Sequence, residues 1–400
     1  MQGRSVPARW LLALCLILMA GCESLPDALI AAAPEAPRPP VILISIDGLR
    51  PQALGRGDTP YLDALAARGV RARWMTPSFP TLTFPNHYTL VTGLRPDVHG
   101  VVGNTMEDAS VSDRPFTLGD RELAADPRWW NGAEPVWVTA ERQGVPTATL
   151  FWPGSEVAIR GVRPDRWTPF DGSMPNSRRA RTVLDWMAAA PAERPRFVTL
   201  YFNDVDHLSH EHGPDSQEAR TALRTVDAAI GELIEGLDRL HLAANIVVVS
   251  DHGMATVPPG NRMALDEIAP ALTYRVVYYG AIAGLEPAAG HEAELSARLP
   301  GRHGHVECWR REALPARFSF GRNPRIPAFI CLADVGWIVQ PSRPEPGRER
   351  TIGAHGYDNV APGMRAVFIA AGPDFARGRV VAPIDNTEVA PLLKALLRLH

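Results

Sequence analysis

The sequence Val41-Ile42-Leu43-Ile44-Ser45-Ile46-Asp47-Gly48 is an apolar run that ends in an aspartate and a glycine. Strands that are buried on both faces of a parallel sheet have near-continuous apolar runs of this kind. Acidic and histidine side chains also follow apolar runs at two later places, Asp206-His207-Leu208-Ser209-His210 and Ser250-Asp251-His252-Gly253. Because ligands bind beyond the carboxyl ends of the strands in such sheets, the three places predict one shared metal site at that edge.

The rest of the chain alternates predicted strands with predicted helices. This order indicates an α/β fold with a central, mostly parallel sheet flanked by helices. Threonine suits the N-cap and proline the first helical position, so a helix is expected to begin at Thr59-Pro60 and to end at Gly69. Further strands are expected at residues 197–202, 246–250 and 366–371, and further helices at residues 216–240 and 387–399.

The first 21 residues have the features of an export signal. Arg4 and Arg9 precede an apolar run over residues 10–20, which is too short to favour a membrane-spanning helix. Leu18-Met19-Ala20-Gly21-Cys22 resembles a bacterial lipobox, so we expect a lipid anchor on Cys22 and a proline-rich tether over residues 22–40. These features predict a lipoprotein of the bacterial periplasm or cell envelope, and an ordinary cleaved signal is the alternative.

The sequence changes character between residues 266 and 345, where mixed strands and turns surround one short predicted helix. We therefore predict a small α+β cap, inserted into a catalytic domain made of residues 41–265 and 346–400. Cys308 and Cys331 both lie in this cap. An even pair of cysteines in an oxidising compartment predicts a disulfide, and two buried free thiols are the alternative.

The charge of the chain is nearly balanced. It has 44 acidic and 41 basic residues and a formal net charge of -3, without a long run of like charge. Binding to nucleic-acid polymers is therefore not expected. The partners that the sequence predicts are a small-molecule substrate and a membrane, which the chain would reach through its lipid anchor.

Candidate metal ligands stand at the ends of the predicted strands and in two polar motifs. An aspartate after a strand is also common in turns, and a histidine-rich loop can arise by chance, so none of them is decisive alone. Considered together, three carboxylates and three imidazoles make two mixed oxygen and nitrogen sites, as zinc prefers. Two ions about 4 Å apart suit an in-line phosphoryl displacement. The six candidates are Asp47, Asp206, His210, Asp251, His252 and His355.

Thr83 is the candidate nucleophile. Pro85 marks the start of a predicted helix that ends before Gly93, which places Thr83 at or beside the N-cap. Free backbone N–H groups and the helix dipole favour negative charge there, and a hydroxyl that also binds a cation can ionise near neutral pH. Without the metal ligands elsewhere, a simple N-cap would be the better interpretation.

Eight motifs carry a family resemblance, and they occur in order between about residue 41 and residue 400. They are residues 47–51, 59–63, 81–88, 100–104, 151–155, 206–213, 251–254 and 353–357. In this order they resemble the nucleotide pyrophosphatase/phosphodiesterase family of the alkaline phosphatase superfamily. One departure is Asp204-Val205-Asp206, where animal members usually have Glu-Pro-Asp, but the ligand Asp206 is kept.

The resemblance implies roles for the site residues. Thr83 would attack phosphorus to give a phospho-threonine intermediate. Asn104 would donate its side-chain amide to a non-bridging phosphate oxygen, with help from the backbone N–H of Phe84. One zinc ion would be bound by Asp206, His210 and His355, and a second by Asp47, Asp251, His252 and the Thr83 oxygen.

The expected substrate is a small phosphodiester. A monoester carries one more charged oxygen than a diester, and Asn104 is a neutral donor, so a diester fits better. Nucleotide diesters or pyrophosphates, cleaved to nucleoside 5'-monophosphates, are the first prediction, and a lysophospholipid or a glycerophosphodiester is the alternative. Candidate substrate contacts, which core packing could equally explain, are the aromatic residues Phe84, Trp152, Trp167, Phe170 and Tyr201.

Other classes of protein fit less well. A sulfatase would need Cys-x-Pro-x-Arg around its nucleophile, which Thr83-Phe84-Pro85-Asn86-His87 does not provide. A non-catalytic lipoprotein that uses the same fold as a binding module would be expected to have lost a ligand or the nucleophile, and none is lost. The sequence therefore favours an enzyme, a phosphoric diester hydrolase with two zinc ions.

Overall fold

A computed structural model describes residues 38–343 and 352–400. The predicted signal peptide, Cys22 and nearly all of the predicted tether lie outside the described residues. Within these residues, no helix combines the length and the hydropathy that crossing a bilayer requires.

The strands are short and numerous. In chain order they are β1 (Val41–Ile46), β2 (Val70–Ala72), β3 (Met75–Thr76), β4 (Thr105–Met106), β5 (Phe116–Thr117), β6 (Thr147–Leu150), β7 (Arg166–Thr168), β8 (Phe197–Phe202), β9 (Asn245–Val249), β10 (Ala255–Val257), β11 (Arg262–Ala264), β12 (Tyr274–Tyr278), β13 (Ile282–Pro287), β14 (Gly301–His303), β15 (Val306–Arg310), β16 (Phe329–Ala333), β17 (Ile338–Gln340), β18 (Ile352–Ala354), β19 (Phe368–Ala371), β20 (Arg379–Val381) and β21 (Ile384–Asp385).

The α-helices vary more in length. They are α1 (Pro60–Arg68), α2 (Thr83–Thr92), α3 (Pro96–His99), α4 (Arg121–Ala124), α5 (Val136–Arg142), α6 (Asn176–Met187), α7 (Asp204–His212), α8 (Gln217–Arg239), α9 (Glu292–Arg298) and α10 (Val389–Leu397). The predicted helices and strands are present, and most of their ends lie within one or two residues of the expected positions.

Eight strands form the central sheet, in the order β20-β2-β19-β9-β1-β8-β6-β7. β1 lies in the interior of the sheet and pairs in parallel with β8 and β9. Every residue of β1 is buried, which is why its sequence has no polar alternation. β19 runs antiparallel to both of its neighbours. The predicted α/β fold with a mostly parallel sheet is confirmed.

Helices cover both faces of this sheet. Successive side chains of a strand point to opposite faces. Ile42, Ile44 and Ile46 accordingly belong to the apolar core that contains α1, α6 and α8. Val41 and Leu43 belong to the core on the other face, which contains α2, α5 and α10. The ends of the parallel strands remain uncovered by these helices, so side chains that follow the strands can meet there.

A second sheet lies within the region predicted as a cap. Its five antiparallel strands have the order β12-β13-β16-β15-β14. Cys308 and Cys331 face each other on β15 and β16, and their sulfur atoms are 2.00 Å apart, so the structure has the disulfide. β17, within the predicted cap, pairs with β11 in the predicted catalytic domain. The boundaries at residues 265 and 346 stay a prediction.

Candidate active site

The first cluster of candidate ligands consists of Asp206, His210 and His355. Asp206 and His210 are one turn apart on α7, which follows β8, and His355 directly follows β18. Nε2 of His210 lies 3.4 Å from Oδ2 of Asp206, and Nε2 of His355 lies 3.7 Å from Oδ1 of Asp206. One ligand atom from each side chain lies within 4.8 Å of the others, so the three can bind one ion.

The second cluster consists of Asp47, Asp251, His252 and Thr83. Asp47 directly follows β1, while Asp251 and His252 follow the neighbouring strand β9. Nε2 of His252 lies 3.0 Å from Oδ2 of Asp251 and 3.5 Å from Oδ1 of Asp47. The Thr83 hydroxyl oxygen lies 3.4 Å from the same Nε2. The motifs that contain Asp47, Thr83 and Asp251 therefore lie together in the structure.

Gly48 allows the backbone to pass between the two clusters. Its φ of 68° lies in the left-handed region, which glycine adopts without strain. Its N–H donates to Oδ1 of Asp251 at 3.2 Å. A Cβ at this position would lie only 3.1 Å from the side chain of Asp206. A larger residue would therefore push the two clusters apart.

The three candidate histidines are oriented in the same way. Nδ1 of His210 donates to the carbonyl oxygen of Gly353 at 2.8 Å, and Nδ1 of His355 to that of Thr81 at 2.8 Å. Nδ1 of His252 donates to the carbonyl oxygen of Gly253 at 2.9 Å. A carbonyl can only accept, so Nδ1 carries a proton in each ring, and Nε2 is the nitrogen that can bind a metal. This is how proteins orient metal-binding histidines.

The carboxylates also fit bound cations. Oδ1 of Asp47, Oδ1 of Asp206 and Oδ2 of Asp251 are buried and have no hydrogen-bond partner among the described residues. Burial, together with the charges of Asp251 and Asp206, holds the pKa of Asp47 well above its usual range. Unpaired buried carboxylate oxygens are costly unless a cation satisfies them. These residues therefore fit metal ions.

His87 has a supporting role that the sequence analysis missed. Its Nδ1 donates to the carbonyl oxygen of Thr83 at 2.9 Å, and its Nε2 lies 2.8 Å from the hydroxyl of Ser45. Both nitrogens are engaged, so His87 orients the backbone of the candidate nucleophile Thr83. It also approaches Asp251 to 3.4 Å, and with Asp47 and Asp251 it forms a further group that could hold an ion. Its spacing of four residues from Thr83 on α2 was the available signal.

Thr83 and Asn104 lie side by side at the site. Thr83 is the first residue of α2 and Leu82 is its N-cap, so Thr83 lies beside the N-cap, as expected. The N–H of Phe84 donates to Oδ1 of Asn104 at 2.9 Å. This bond fixes the amide and leaves Nδ2 without a partner among the described residues. It also means that the Phe84 N–H is not free, contrary to the expected second contact with a phosphate oxygen.

Tyr201 contacts a candidate metal ligand as well as the substrate cavity. Its hydroxyl donates to Oδ2 of Asp47 at 2.6 Å. Burial, reinforced by the charge of Asp47, raises the pKa of Tyr201 well above its usual range, so the hydroxyl keeps its proton. The predicted substrate contact therefore also orients a carboxylate.

A cavity of about 240 Å³ lies beside Thr83 and Asp47. Four of the aromatic candidates line it: Phe84, Trp152, Phe170 and Tyr201. Trp167 does not: it lies on the edge strand β7, with the Arg163 guanidinium 5.1 Å from its ring centre. β7 ends at Thr168, so the chain reaches the cavity only at Phe170. Lining residues that the sequence analysis did not predict as contacts, and that no local pattern indicates, are Leu118, Arg121, Trp130 and Glu156.

Comparisons with known proteins agree with this geometry. Residues 41–358 match the family model described as type I phosphodiesterase/nucleotide pyrophosphatase. A pyrophosphatase/phosphodiesterase of Schizosaccharomyces pombe is 37% identical and covers 90% of this chain and 77% of its own length. Human ectonucleotide pyrophosphatase/phosphodiesterase family member 1 is 36% identical and covers 94% of this chain, which spans only 42% of that longer protein.

A solved structure gives the same result. Murine ectonucleotide pyrophosphatase/phosphodiesterase 5, as an inactive threonine-to-alanine variant in complex with AMP, superposes with a TM-score of 0.84 at 30% identity. The match covers 90% of this chain and 96% of that chain. The names of these relatives confirm the predicted enzyme class, a phosphoric diester hydrolase. The chain belongs to the type I phosphodiesterase/nucleotide pyrophosphatase family, within the alkaline phosphatase superfamily.

Proposed function

We propose that this protein is a two-zinc phosphodiesterase that cleaves nucleotide diesters or pyrophosphates and releases nucleoside 5'-monophosphates. The observation that carries the proposal is the position of the Thr83 hydroxyl. It stands in the first turn of α2, 3.4 Å from Nε2 of His252 and beside three carboxylates with unpartnered oxygens. A hydroxyl in such surroundings is suited to attack phosphorus.

The two clusters would each hold one ion. Enzymes of this family depend on metals, and mixed imidazole and carboxylate ligands suit zinc. Burial and the neighbouring imidazoles keep the pKa of His355 well below its usual range, so this histidine is neutral, as a ligand must be. When bound, zinc acts as a Lewis acid on phosphate oxygens and favours the ionised hydroxyl. The ligand sets are Asp206, His210 and His355, and Asp47, Asp251, His252 and Thr83.

Thr83 performs the first displacement. Its Oγ1 forms a bond to phosphorus while the bond from phosphorus to the leaving oxygen breaks. The product is a phospho-threonine that still carries the retained nucleoside. The N-terminus of α2 favours the negative charge that gathers on the phosphoryl oxygens. Water then attacks phosphorus, releases the monophosphate and restores the Thr83 hydroxyl.

Asn104 supports selection of a diester. Its Oδ1 accepts from the N–H of Phe84, so Nδ2 is the atom left to donate. We expect Nδ2 to act as a preorganised neutral donor to a phosphate oxygen. A monoester would bring a further negative charge to this place, and a neutral amide compensates that charge less well than an arginine.

The aromatic cavity supports a nucleotide as the retained group. Phe84 lies next to the nucleophile, and Phe170 and Tyr201 line the same cavity. Aromatic faces stack on nucleobases, a contact worth about 1–3 kcal/mol per base. The AMP complex of the murine relative gives independent support. A lysophospholipid is the second candidate because an acyl chain would also suit these apolar walls.

The substrate class is tested by comparing three esters at equal concentration: an aryl ester of a nucleoside 5'-monophosphate, a choline lysophospholipid and a simple aryl monoester. We expect the fastest turnover with the nucleotide ester and close to two zinc ions per chain by elemental analysis. Preference for the monoester would contradict the role of Asn104. Fewer than two metal ions per chain, without turnover, would favour a binding module.

The cellular location is a separate proposal. The human relative is named an ectonucleotide pyrophosphatase, and this chain has a lipobox-like segment at Leu18 to Cys22. We propose export and lipid attachment at Cys22. Membrane fractionation of a bacterial host should find the protein with the membrane and the Cys22→Ser variant outside it. An unchanged distribution would contradict the anchor.

A further inference from the structure

A second cavity lies on the other side of the active site. It has a volume of about 420 Å³ and is bordered by Asn104, His210 and His355. Its remaining wall comes partly from the turn between β12 and β13 of the second sheet, and it includes the apolar and aromatic residues Leu82, Tyr278, Tyr279, Ile282, Ile338 and Ile352.

The two cavities divide the site residues between them. Asp47, Thr83 and Asp206 border the first cavity, and Asn104, His210 and His355 border the second. Among the residues that the structure describes, none lines both. A phosphodiester has two substituents on phosphorus, so a phosphate held between the clusters can direct one substituent into each cavity.

The direction of attack decides which substituent enters the second cavity. In an in-line displacement, the leaving oxygen lies opposite the attacking oxygen. The attacking oxygen belongs to Thr83, which borders the first cavity together with Phe84. The leaving group is therefore directed away from Thr83, toward His210 and His355.

Building on the proposed function, we propose that the second cavity binds the leaving group, and that it selects an apolar or aromatic alcohol over pyrophosphate. Apart from histidines, the described residues that line it include no cationic side chain. Arg275, on the same strand as Tyr278, is engaged by both oxygens of Glu107, at 2.6 and 2.7 Å. Apart from the zinc ion that His210 and His355 would hold at its edge, a pyrophosphate would find no cationic side chain here to replace its hydration, whereas an apolar group would gain from burial.

Tyr279 is the residue of choice for a test. Its side chain is 62% exposed, so substitution is tolerated by the fold, and it lines the cavity. The assay uses two substrates that share the nucleoside: the 1-naphthyl ester of AMP, which loses naphthol, and ATP, which loses pyrophosphate. Both release AMP, and comparison of each variant with the unchanged protein cancels the different intrinsic reactivity of the two leaving groups.

Tyr279→Ala should lower kcat/KM for the naphthyl ester more than for ATP. The ratio of kcat/KM for the naphthyl ester to kcat/KM for ATP should therefore fall about fivefold, as expected for partial loss of an apolar contact. Tyr279→Arg should lower the ratio further because it adds a cation at the rim. Leu272→Ala is the matched control: Leu272 is 68% exposed in the 3-10 turn before β12 and does not line the cavity, so the ratio should not change.

The outcomes separate the two proposals. If the unchanged protein releases AMP from both esters but the two Tyr279 variants leave the ratio unaltered, the assignment of the second cavity is wrong and the proposed function stands. If neither substrate yields AMP in the zinc-loaded protein, the proposed function itself fails. A ratio that rises in Tyr279→Arg would also overturn the assignment.

Discussion

The hydrogen bonds of single residues determine what each side chain of the site can do. His210, His252 and His355 each donate from Nδ1 to a backbone carbonyl oxygen and direct Nε2 toward the carboxylates of the site, while His87 has both nitrogens engaged by Thr83 and Ser45. Sequence patterns predicted the first three as ligands because each lies in a polar motif at a strand end or on a helix after one. The part played by His87 depends on contacts with Ser45 and Thr83, which only the fold brings together.

Thr83→Ala tests the nucleophile. Turnover should fall by about 10³-fold or more, because the proposed covalent intermediate forms on the Thr83 hydroxyl. Metal content should change little, since three other ligands of that cluster remain. Steady-state kinetics and elemental analysis measure these two effects. Thr225→Ala, an exposed threonine of α8, is the control and should keep full activity.

Tyr201→Phe tests the support of Asp47. The variant keeps the aromatic ring in the cavity wall but loses the hydroxyl that donates to Oδ2 of Asp47 at 2.6 Å. Loss of such a supporting bond typically costs about 10- to 100-fold in metal affinity. Competition with a zinc chelator should therefore show weaker binding of one ion. Unchanged affinity for both ions would mean that Asp47 is oriented by other groups.

At the scale of elements, the site depends on how α7 packs against β18. A Cβ added to Gly353 would lie only 2.1 Å from the carbonyl oxygen of Ser209, too close for any side chain. The Gly353 carbonyl oxygen accepts a hydrogen bond from His210. The alternation of strands and helices predicted that β1, β8 and β9 would carry ligands at one edge. It did not predict the contact between α7 and β18, since the two elements are far apart in the sequence and their pairing has no local signal.

Gly353→Ala tests this contact. The added methyl group should force α7 away from β18, destabilise the fold by about 1–3 kcal/mol and displace His210 from its position. Denaturant unfolding and turnover should both show the loss. Gly119→Ala is the matched control, because a Cβ there meets no atom within 4 Å. Equal stability of the two variants would contradict the packing described.

At the scale of the whole molecule, the central sheet and the second sheet enclose the site from two sides. The apolar run of β1 was sufficient to predict the parallel sheet, because a strand buried on both faces can be recognised from its sequence alone. The reversed direction of β19 and the antiparallel order of the second sheet were not predicted. Short strands joined by turns have several possible pairings, and long-range packing selects one of them.

Removal of metal should destabilise the whole molecule. Three carboxylates with buried, unpartnered oxygens would then repel one another, and the binding energy of the ions would be lost. After dialysis against a chelator, the melting temperature should fall by about 5 °C and recover on addition of zinc. Asp206→Ala, which already lacks a ligand, should show a smaller change. A melting temperature that chelation leaves unaltered would exclude metal from this site.

The stereochemistry at phosphorus shows whether Thr83 forms a covalent phospho-threonine. A chiral phosphorothioate diester of a nucleoside is hydrolysed in isotopically labelled water, and the configuration of the product is determined. Each in-line displacement inverts phosphorus, so attack by Thr83 followed by attack of water predicts net retention. Net inversion would show a single displacement by water and would contradict the account.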